Sequence, residues 1–553
     1  MTPSAIPRPT RELMGPRQFW LLMATLMLAM FVSAMNQQVV STAMPRILSD
    51  LGGFELLSWV FTIYLLTSTV VTPITGKLSD TYGRKPFMIG GIAIFMIGSI
   101  ASGLAPSMLV LISARAIQGI GGGMIMASVF STLGDLFSPA ERGKYMGLFT
   151  GTFAMASVSG PTIGGLLTDH VGWRWCFLVN VPVAILAITM ISIHLPSRKR
   201  TGPAPRIDFL GAILLSVATT ALLLALSWAQ KAFGWSAPET LGLFAASALF
   251  VGLFIAQEGR HPEAVMPLHL FKIREFWVAN MLVVALGAGG FGAIQYLPTF
   301  VQTSLGASAT ASGLVTTPQS LGMLLTSVIG GQIVARRGKY RTQTIIGLIV
   351  TLGATAALTQ LHVGQPTWQI AGIMMVVGFG SGLVMPTMSL VIQNAVSPQF
   401  MGVATSSRQF FMQIGNVLGA AIFGVVLATS YESAFEAKVP AEARAALPPA
   451  TYEQFLDPTL SLNQRVFTRV QAEVRALPDG EAILGIATKA QREAVATAVA
   501  RIFIGGAILV GLALAFAFAL RDVPLRRTRA PQPVAQHGAA GPLPGPQVAS
   551  GGQ

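Results

Sequence analysis

Apolar runs of about twenty residues recur along this chain from Gln18 to within some thirty residues of its end, and twenty residues is the length of helix that crosses a bilayer. In hydrocarbon every backbone N–H and C=O must find a partner, which leaves only helices and closed barrels. A barrel needs short alternating segments, and the sequence has none. Charged residues make up 10% of the chain, against about 25% in a soluble domain. The expectation is an all-α polytopic membrane protein. The formal net charge of +14 does not point to nucleic acid, because the bases sit in short loops between apolar runs. Cys176 is the sole cysteine, so an internal disulfide and a cysteine-rich metal site are excluded. The first run, Gln18–Val40, is too long for a signal-peptide core and has no small-residue cleavage pattern behind it. It reads as the first span.

Fourteen spans can be placed, near 18–40, 56–75, 86–104, 108–131, 144–167, 175–194, 209–229, 239–256, 276–299, 309–334, 342–360, 368–391, 403–429 and 499–520. With the N-terminus inside, the inner segments carry 23 bases and the short outer loops carry only Arg46, Arg174 and Lys231. The positive-inside rule then puts both termini in the cytoplasm. The parts expected are a cytoplasmic tail 1–17, a six-helix bundle 18–194, a linker 195–258 with two extra helices, a second six-helix bundle 259–520 and a disordered tail 521–553. A segment 430–498 interrupts the second bundle on the outer side, and Phe467, Val470, Val474 and Leu477 recur there at helical spacing. They predict an amphipathic helix lying on the outer face, a packing cap in the plainer reading and a lid or lever in the sharper one. The tail beyond Arg529 is rich in Pro, Gly, Ala and Gln, a composition that does not form a core.

A polar stretch, Gly76 to Pro86, separates two apolar runs at an inner turn. Gly76 and Gly83 bracket it, Asp80 stands mid-way, and Arg84 and Lys85 close it. Asp80 can accept backbone N–H groups at the start of a neighbouring helix, and Arg84 can reach an acid on another helix, best Asp135. Together they form a latch able to hold one of two rigid-body arrangements. The plainer reading is that the bases only set topology. Gly331 to Lys339 echoes the stretch, with Ala335 where Asp80 stands. Two related halves with a substrate site between them are a common transporter plan.

Three motifs resemble those of the major facilitator superfamily. The stretch around Asp80 is similar to its loop signature, with Thr81 in place of the usual base. Leu111 to Gly119, containing Arg115 and Gln118, resembles the signature of its fourth span. Gly160-Pro161, followed by Gly164-Gly165, resembles the fifth-span motif of drug antiporters, with Ala156 replacing its leading glycine. With fourteen spans, the resemblance is to the 14-span drug:proton antiporter branch, over roughly residues 18–520. It implies two six-helix bundles plus two extra central helices and multidrug export by alternating access. Gly160-Pro161 should break the fifth span's hydrogen-bond ladder. Gly164 and Gly165 should let helices approach closely where the halves slide.

The branch carries an aspartate in its first span, and here that position is Asn36. None of the 22 acids falls in the middle of a span, and neither does any of the six histidines. Two arginines do lie inside spans, Arg115 about 10 Å from the outer end and Arg408 slightly less deep from the inner end. Intramembrane charge is costly and ordinarily faces a cavity with a partner. Asn36 can serve as that partner for Arg115 through its amide oxygen. The expected cavity is lined by Asn36, Gln37, Gln38, Arg115, Gln118, Gln295, Tyr296, Gln319, Arg408, Gln413 and Asn416, and is neutral to positive. It favours neutral or anionic amphiphiles. The expected partners are a small hydrophobic, neutral or anionic substrate and membrane lipid, with protons an open third; no metal, cofactor or nucleic acid is expected. No ATP-binding or catalytic motif is present. Besides multidrug efflux, a dedicated lipid or anion exporter and a non-transporting sensor or scaffold remain as readings. Short basic inner loops suit a bacterial inner membrane.

Overall fold

The computed structural model describes residues 15–52, 56–137, 139–195, 208–231, 234–261, 263–462 and 464–523. The expected disordered tail from 524 onward and most of the N-terminal tail lie outside the described residues.

The first bundle is built from α1 (Pro16–Leu51), α2 (Leu57–Tyr82), α3 (Arg84–Gly103), α4 (Met108–Leu136), α5 (Pro139–His170), the short α6 (Trp175–Leu178) and α7 (Asn180–His194). A hairpin of α8 (Phe209–Lys231) and α9 (Pro238–Glu258) follows. The second bundle holds α10 (Arg274–Leu286), the single turn α11 (Leu297–Thr299), α12 (Ala309–Arg337), α13 (Arg341–Ala357), α14 (Thr367–Ala395), α15 (Met401–Lys438) and α19 (Gly480–Ala519). Between the last two lie α16 (Ala441–Ala446), α17 (Pro449–Phe455) and α18 (Gln464–Arg475). Among the described residues eleven helices are long and apolar enough to cross a membrane. The other three expected spans, α5, the α10–α11 run and α12, are helical but do not meet that measure.

The internal repeat is far clearer in packing than in sequence. In the first bundle α3 packs on α4, α2 on α4, α1 on α5, α1 on α7 and α3 on α7. In the second, α13 packs on α14, α12 on α14, α10 on α15, α10 on α19 and α13 on α19. These are the same five pairings, taken helix for helix. The bundles meet through α2 against α15 and α5 against α12, so the second helix of each faces the fifth of the other, as a twofold relation requires. The α8–α9 hairpin packs on α2 and α15. It therefore lies over one of the two seams, with Phe254, Val265, Met266 and Phe410 in a shared apolar core.

Two departures from the sequence reading stand out. The span expected at 276–299 is not one regular helix: π-helical turns occupy Gly287–Gly292 and Phe300–Ser304, on either side of α11. Such bulges recur at functional sites. The segment 430–498 is a folded layer, not a lone helix on a surface. The helix α15 has 38 residues and α19 has 40, or about 57 and 60 Å at 1.5 Å per residue, roughly twice the hydrocarbon thickness. Their overhang, with α16 to α18, surrounds a core of Tyr431, Phe435, Phe455, Val470, Val474 and Leu484. The Tyr431 hydroxyl donates to the Phe455 carbonyl at 2.7 Å. The predicted apolar stripe of α18 is real, with Val470 and Val474 fully buried, but it faces this core.

Candidate functional site

The turn at Gly83 exists because its φ of +97° is open to glycine and strained for other residues. It ends α2 and starts α3 at once, which brings Arg84 back beside Asp80. Arg84 Nη2 donates to Asp80 Oδ1, Nη1 donates to Ser79 Oγ at 2.7 Å, and Nε donates to Asp135 Oδ2 at 2.9 Å. Asp80 in turn accepts the N–H groups of Gly402 at 2.9 Å and Val403 at 3.0 Å. These belong to the first turn of α15, whose amides have no partners inside the helix and carry the positive end of its dipole. A carboxylate of one bundle therefore caps a helix of the other. A Cβ added to Gly402 would stand 2.6 Å from Asp80 Oδ1, so glycine is what permits the approach.

The seam continues inward from the latch. Gly134 of α4 faces Met401, and Gly76 packs against Ser406. The Arg408 guanidinium lies over the Phe130 ring at 5.3 Å, from α15 onto α4. Further along, Thr69 donates to Gln413 Oε1 across the same seam. On the other seam Gly147 and Gly151 of α5 take the backbone at Ser327 and the side chain of Leu324. Apart from the Thr69–Gln413 contact, which lies half-way along α2, these sit toward the end of the molecule that carries the Asp80 turn, and that end is closed in this structure.

The two intramembrane arginines differ. Arg115 is 0% exposed, with Nη1 donating to Asn36 Oδ1 at 2.6 Å and Gln118 Oε1 at 2.7 Å, and Nε donating to the Val60 carbonyl at 3.2 Å. Its guanidinium stacks 4.3 Å from the Tyr64 ring. Gln118 passes the network on to Ser99 at 2.6 Å, which also receives Asn180 at 3.3 Å. This polar chain runs α1–α4–α3–α7 and joins helices within one bundle. Arg408 is 5% exposed, its Nη2 donates to its neighbour Gln409 at 3.1 Å, and its Nε has no partner among the described residues. Among the described residues neither arginine forms an ion pair.

The sequence profile of the Major Facilitator Superfamily matches residues 26–420. The chain belongs to the Major Facilitator Superfamily. It is 41% identical to the Multidrug transporter protein MdtP of Bacillus subtilis (strain 168), over 74% of this chain and 75% of that one. It is 36% identical to Multidrug resistance protein 3 of the same organism, over 72% and 78%. It is also 36% identical to the MFS-type transporter Rv1877 of Mycobacterium tuberculosis (strain ATCC 25618 / H37Rv), spanning 61% of that protein's length. Among solved structures, the human organic anion transporter MFSD10 (TETRAN) superposes with a TM-score of 0.56 at 15% identity, covering 90% of this chain and all of that one. The proton:xylose symporter XylE superposes with a TM-score of 0.53 at 13% identity, over 89% and 95%. These two likenesses concern the fold alone. The chain is an integral membrane transporter of this superfamily.

Within the superfamily fold, Gly76, Asp80, Gly83, Arg84 and Asp135, the residues expected to form a latch, come together around the start of α15. Lys85 does not join them: its Nζ donates to the Ser192 carbonyl near the end of α7, at 2.6 Å. Lys77, one turn before Asp80, reaches Glu263 of the α9–α10 connection at 2.8 Å. Lys77 and Glu263 line a cavity of about 690 Å³ beside the latch, together with Asp80, Glu258, His261 and His269.

The glycine motif of α5 is not at the seam between the bundles. Gly160 packs on Gln38 and Gly164 on Val39 and Thr42, all of α1 in the same bundle. A Cβ on Gly165 would meet nothing within 4 Å. Pro161 sits within an uninterrupted α5. The seam glycines of α5 are Gly147 and Gly151, and their spacing of four was the available signal.

The expected cavity set divides likewise. Asn36, Arg115 and Gln118 are buried inside the first bundle, and Gln38 packs at the α1–α5 contact. Gln37 and Gln295 are exposed. Tyr296 donates to the Ala420 carbonyl at 2.6 Å, pinning the interrupted helix to α15. The Gln319 backbone meets Gly378, within the second bundle. Gln413 and Arg408 lie at the seam, and Asn416 follows them on α15 with its buried Oδ1 unpartnered.

Proposed function

We propose that this transporter exports hydrophobic or amphiphilic compounds by alternating access, as a multidrug efflux protein of a bacterial inner membrane. Fourteen spans and cytoplasmic termini accompany this reading, on the distribution of bases in the loops. The observation that carries it is the latch. Two bundles with matching internal packing are joined at one end by Asp80 on the first turn of α15, a contact that can be made or released as a unit. The relatives called a multidrug transporter and a multidrug resistance protein support the efflux reading.

The proposed binding region lies along α15, at Arg408, Gln413 and Asn416, where polar groups without acids favour neutral or anionic amphiphiles. The second reading, a dedicated exporter of an anion or lipid, is favoured by Arg408, a buried cation with no carboxylate paired to it. Purified protein in lipid vesicles, given neutral, anionic and dicationic dyes in parallel, tests both. Export of neutral and anionic dyes ahead of dications is expected. Dications moving at least as fast as anions would remove the charge preference, and no movement of any dye would leave a sensor or scaffold.

A further inference from the structure

Resting on that transport reading, we infer that Arg408 is the counter-charge for an anionic substrate head group, and that export of this anion is driven by the membrane potential.

The argument starts from where charge is and is not. All 22 acids and six histidines lie toward span ends, in loops or in the segment 430–498, which includes the overhanging ends of α15 and α19. The buried acids the structure describes sit at the closed end. Asp80 is committed to Arg84 and the start of α15. Glu258 accepts the N–H groups of Val265 and Met266 at 3.0 and 3.2 Å. Asp208 accepts the N–H of Gly211 at 2.8 Å and the amide of Gln257 at 3.0 Å. The last two are fixed in the α8–α9 hairpin and its connection, outside the α4–α15 contact. A proton travelling against substrate has no carboxylate or imidazole on which to stop half-way.

A fixed positive charge, by contrast, is present. Arg408 lies seven residues into α15, about 10 Å from its start, at the contact between bundles. Its face is against Phe130 of the opposite bundle, and among the described residues its one side-chain hydrogen bond is to the adjacent Gln409. Nε is buried and unpartnered. A guanidinium presents a planar fork that matches carboxylate, sulfonate or phosphate oxygens. Arg115 also has an unpartnered nitrogen, Nη2, but its guanidinium is 0% exposed and its other donors are tied to α1, α2 and α4 of a single bundle, away from the contact between bundles. An anion seated on Arg408 cancels its charge, and an apolar body can lie along Phe130.

The direction follows from electrostatics. A cell interior is negative, so one negative charge leaving it moves down the field. About 2.3 kcal/mol per 100 mV is available, enough to hold an anion about 50-fold more concentrated outside. No counter-ion needs to return through the protein.

The test uses full-length protein in vesicles loaded with anilinonaphthalene sulfonate, a monoanion, or with its uncharged parent N-phenylnaphthylamine. A potassium gradient with valinomycin sets the potential, and a pH gradient is imposed separately. Expected are sulfonate efflux at least fivefold faster with the interior negative, little response to the pH gradient, and no response of the uncharged dye to potential. Arg408→Gln should lower sulfonate efflux tenfold or more, and Arg408→Lys should restore part of it. Sulfonate efflux that follows the pH gradient and ignores potential would overturn the inference while leaving the transport reading intact. Undiminished efflux in Arg408→Gln would overturn the assignment of the residue. If neither dye moves under either gradient, both readings fall together.

Discussion

Asn36 Oδ1 receives a 2.6 Å hydrogen bond from Arg115 Nη1 at a point where neither side chain has any exposed surface. A guanidinium in that position costs several kcal/mol unless its donors are met. Here neutral oxygens from Asn36, Gln118 and Val60 meet Nη1 and Nε, the Tyr64 ring adds a cation–π contact, and Nη2 has no hydrogen-bond partner among the described residues. The position where the superfamily branch has an aspartate is thus filled by a structural acceptor in this chain.

The first prediction concerns that acceptor. Asn36→Ala leaves the Nη1 donor with Gln118 alone and removes a buried partner of a charged group, at a cost of about 1–3 kcal/mol. Asn36→Asp keeps the oxygen and supplies a charge, so it should be far less damaging. Thermal unfolding in detergent checks the pair: a clear fall in Tm for the alanine variant and a smaller change for the aspartate one. Equal Tm for wild type and Asn36→Ala would show that the network is not holding the bundle.

The second concerns the latch. Asp80→Asn removes the charge that Arg84 binds and one of the two acceptor oxygens used by Gly402 and Val403. Gly402→Ala attacks the same contact from the other side, because its Cβ would come 2.6 Å from Asp80 Oδ1. Both should release the closed end. Thr69 and Gln413 are in direct hydrogen-bond contact across the seam, so cysteines placed there, with Cys176 replaced, report closure by cross-linking. Cross-linking should be high in the otherwise unaltered protein and fall severalfold with either latch substitution. Undiminished cross-linking in both would show that the latch does not set the equilibrium.

How far these contacts were legible beforehand depends on their range. The contacts of Asp80, Arg84 and Asp135 could be read because motif, helix order and charge all constrain the same turn. The Asn36–Arg115 pairing followed from a charge inside a span with no acid near it. Lys77 and Glu263 are 186 residues apart, and nothing local to either announces the other. Glycines on α5 signal close packing but not the neighbour: Gly164 packs on α1 inside its own bundle and Gly165 meets nothing within 4 Å, so neither stands where the halves meet. The helical overhang of α15 and α19 was hidden because polar residues resume along them where the hydrocarbon ends, and such a change reads as a loop.

The third prediction separates a surface ion pair from a buried one. Lys77 and Glu263 pair at 2.8 Å with side-chain exposures of 14% and 43%, and a pair this accessible is worth about 0–1 kcal/mol. Lys77→Gln should leave Tm nearly unchanged, whereas Arg84→Gln, which strips charge from beside Asp80 and Asp135 at once, should lower it by several degrees. If the two substitutions proved equally mild, the latch would be contributing no more than a surface contact.

The fourth prediction tests which face of α5 moves. A Cβ on Gly147 would lie 2.6 Å from the Ser327 carbonyl of α12, while one on Gly165 would touch nothing within 4 Å. Backbone cannot yield as a flexible side chain can, so Gly147→Ala must push α5 away from α12, and Gly165→Ala has no steric consequence. Gly164→Ala is the informative third case, since it would crowd the Val39 backbone of α1 inside one bundle. If α5 slides on α12 during transport, Gly147→Ala should lower Thr69–Gln413 cross-linking with little loss of Tm, because the bundles separate while each stays packed. Gly164→Ala should do the reverse, lowering Tm through the α1–α5 contact while leaving cross-linking in the folded fraction intact. The same response from both would mean that the two bundles do not behave as separate rigid bodies.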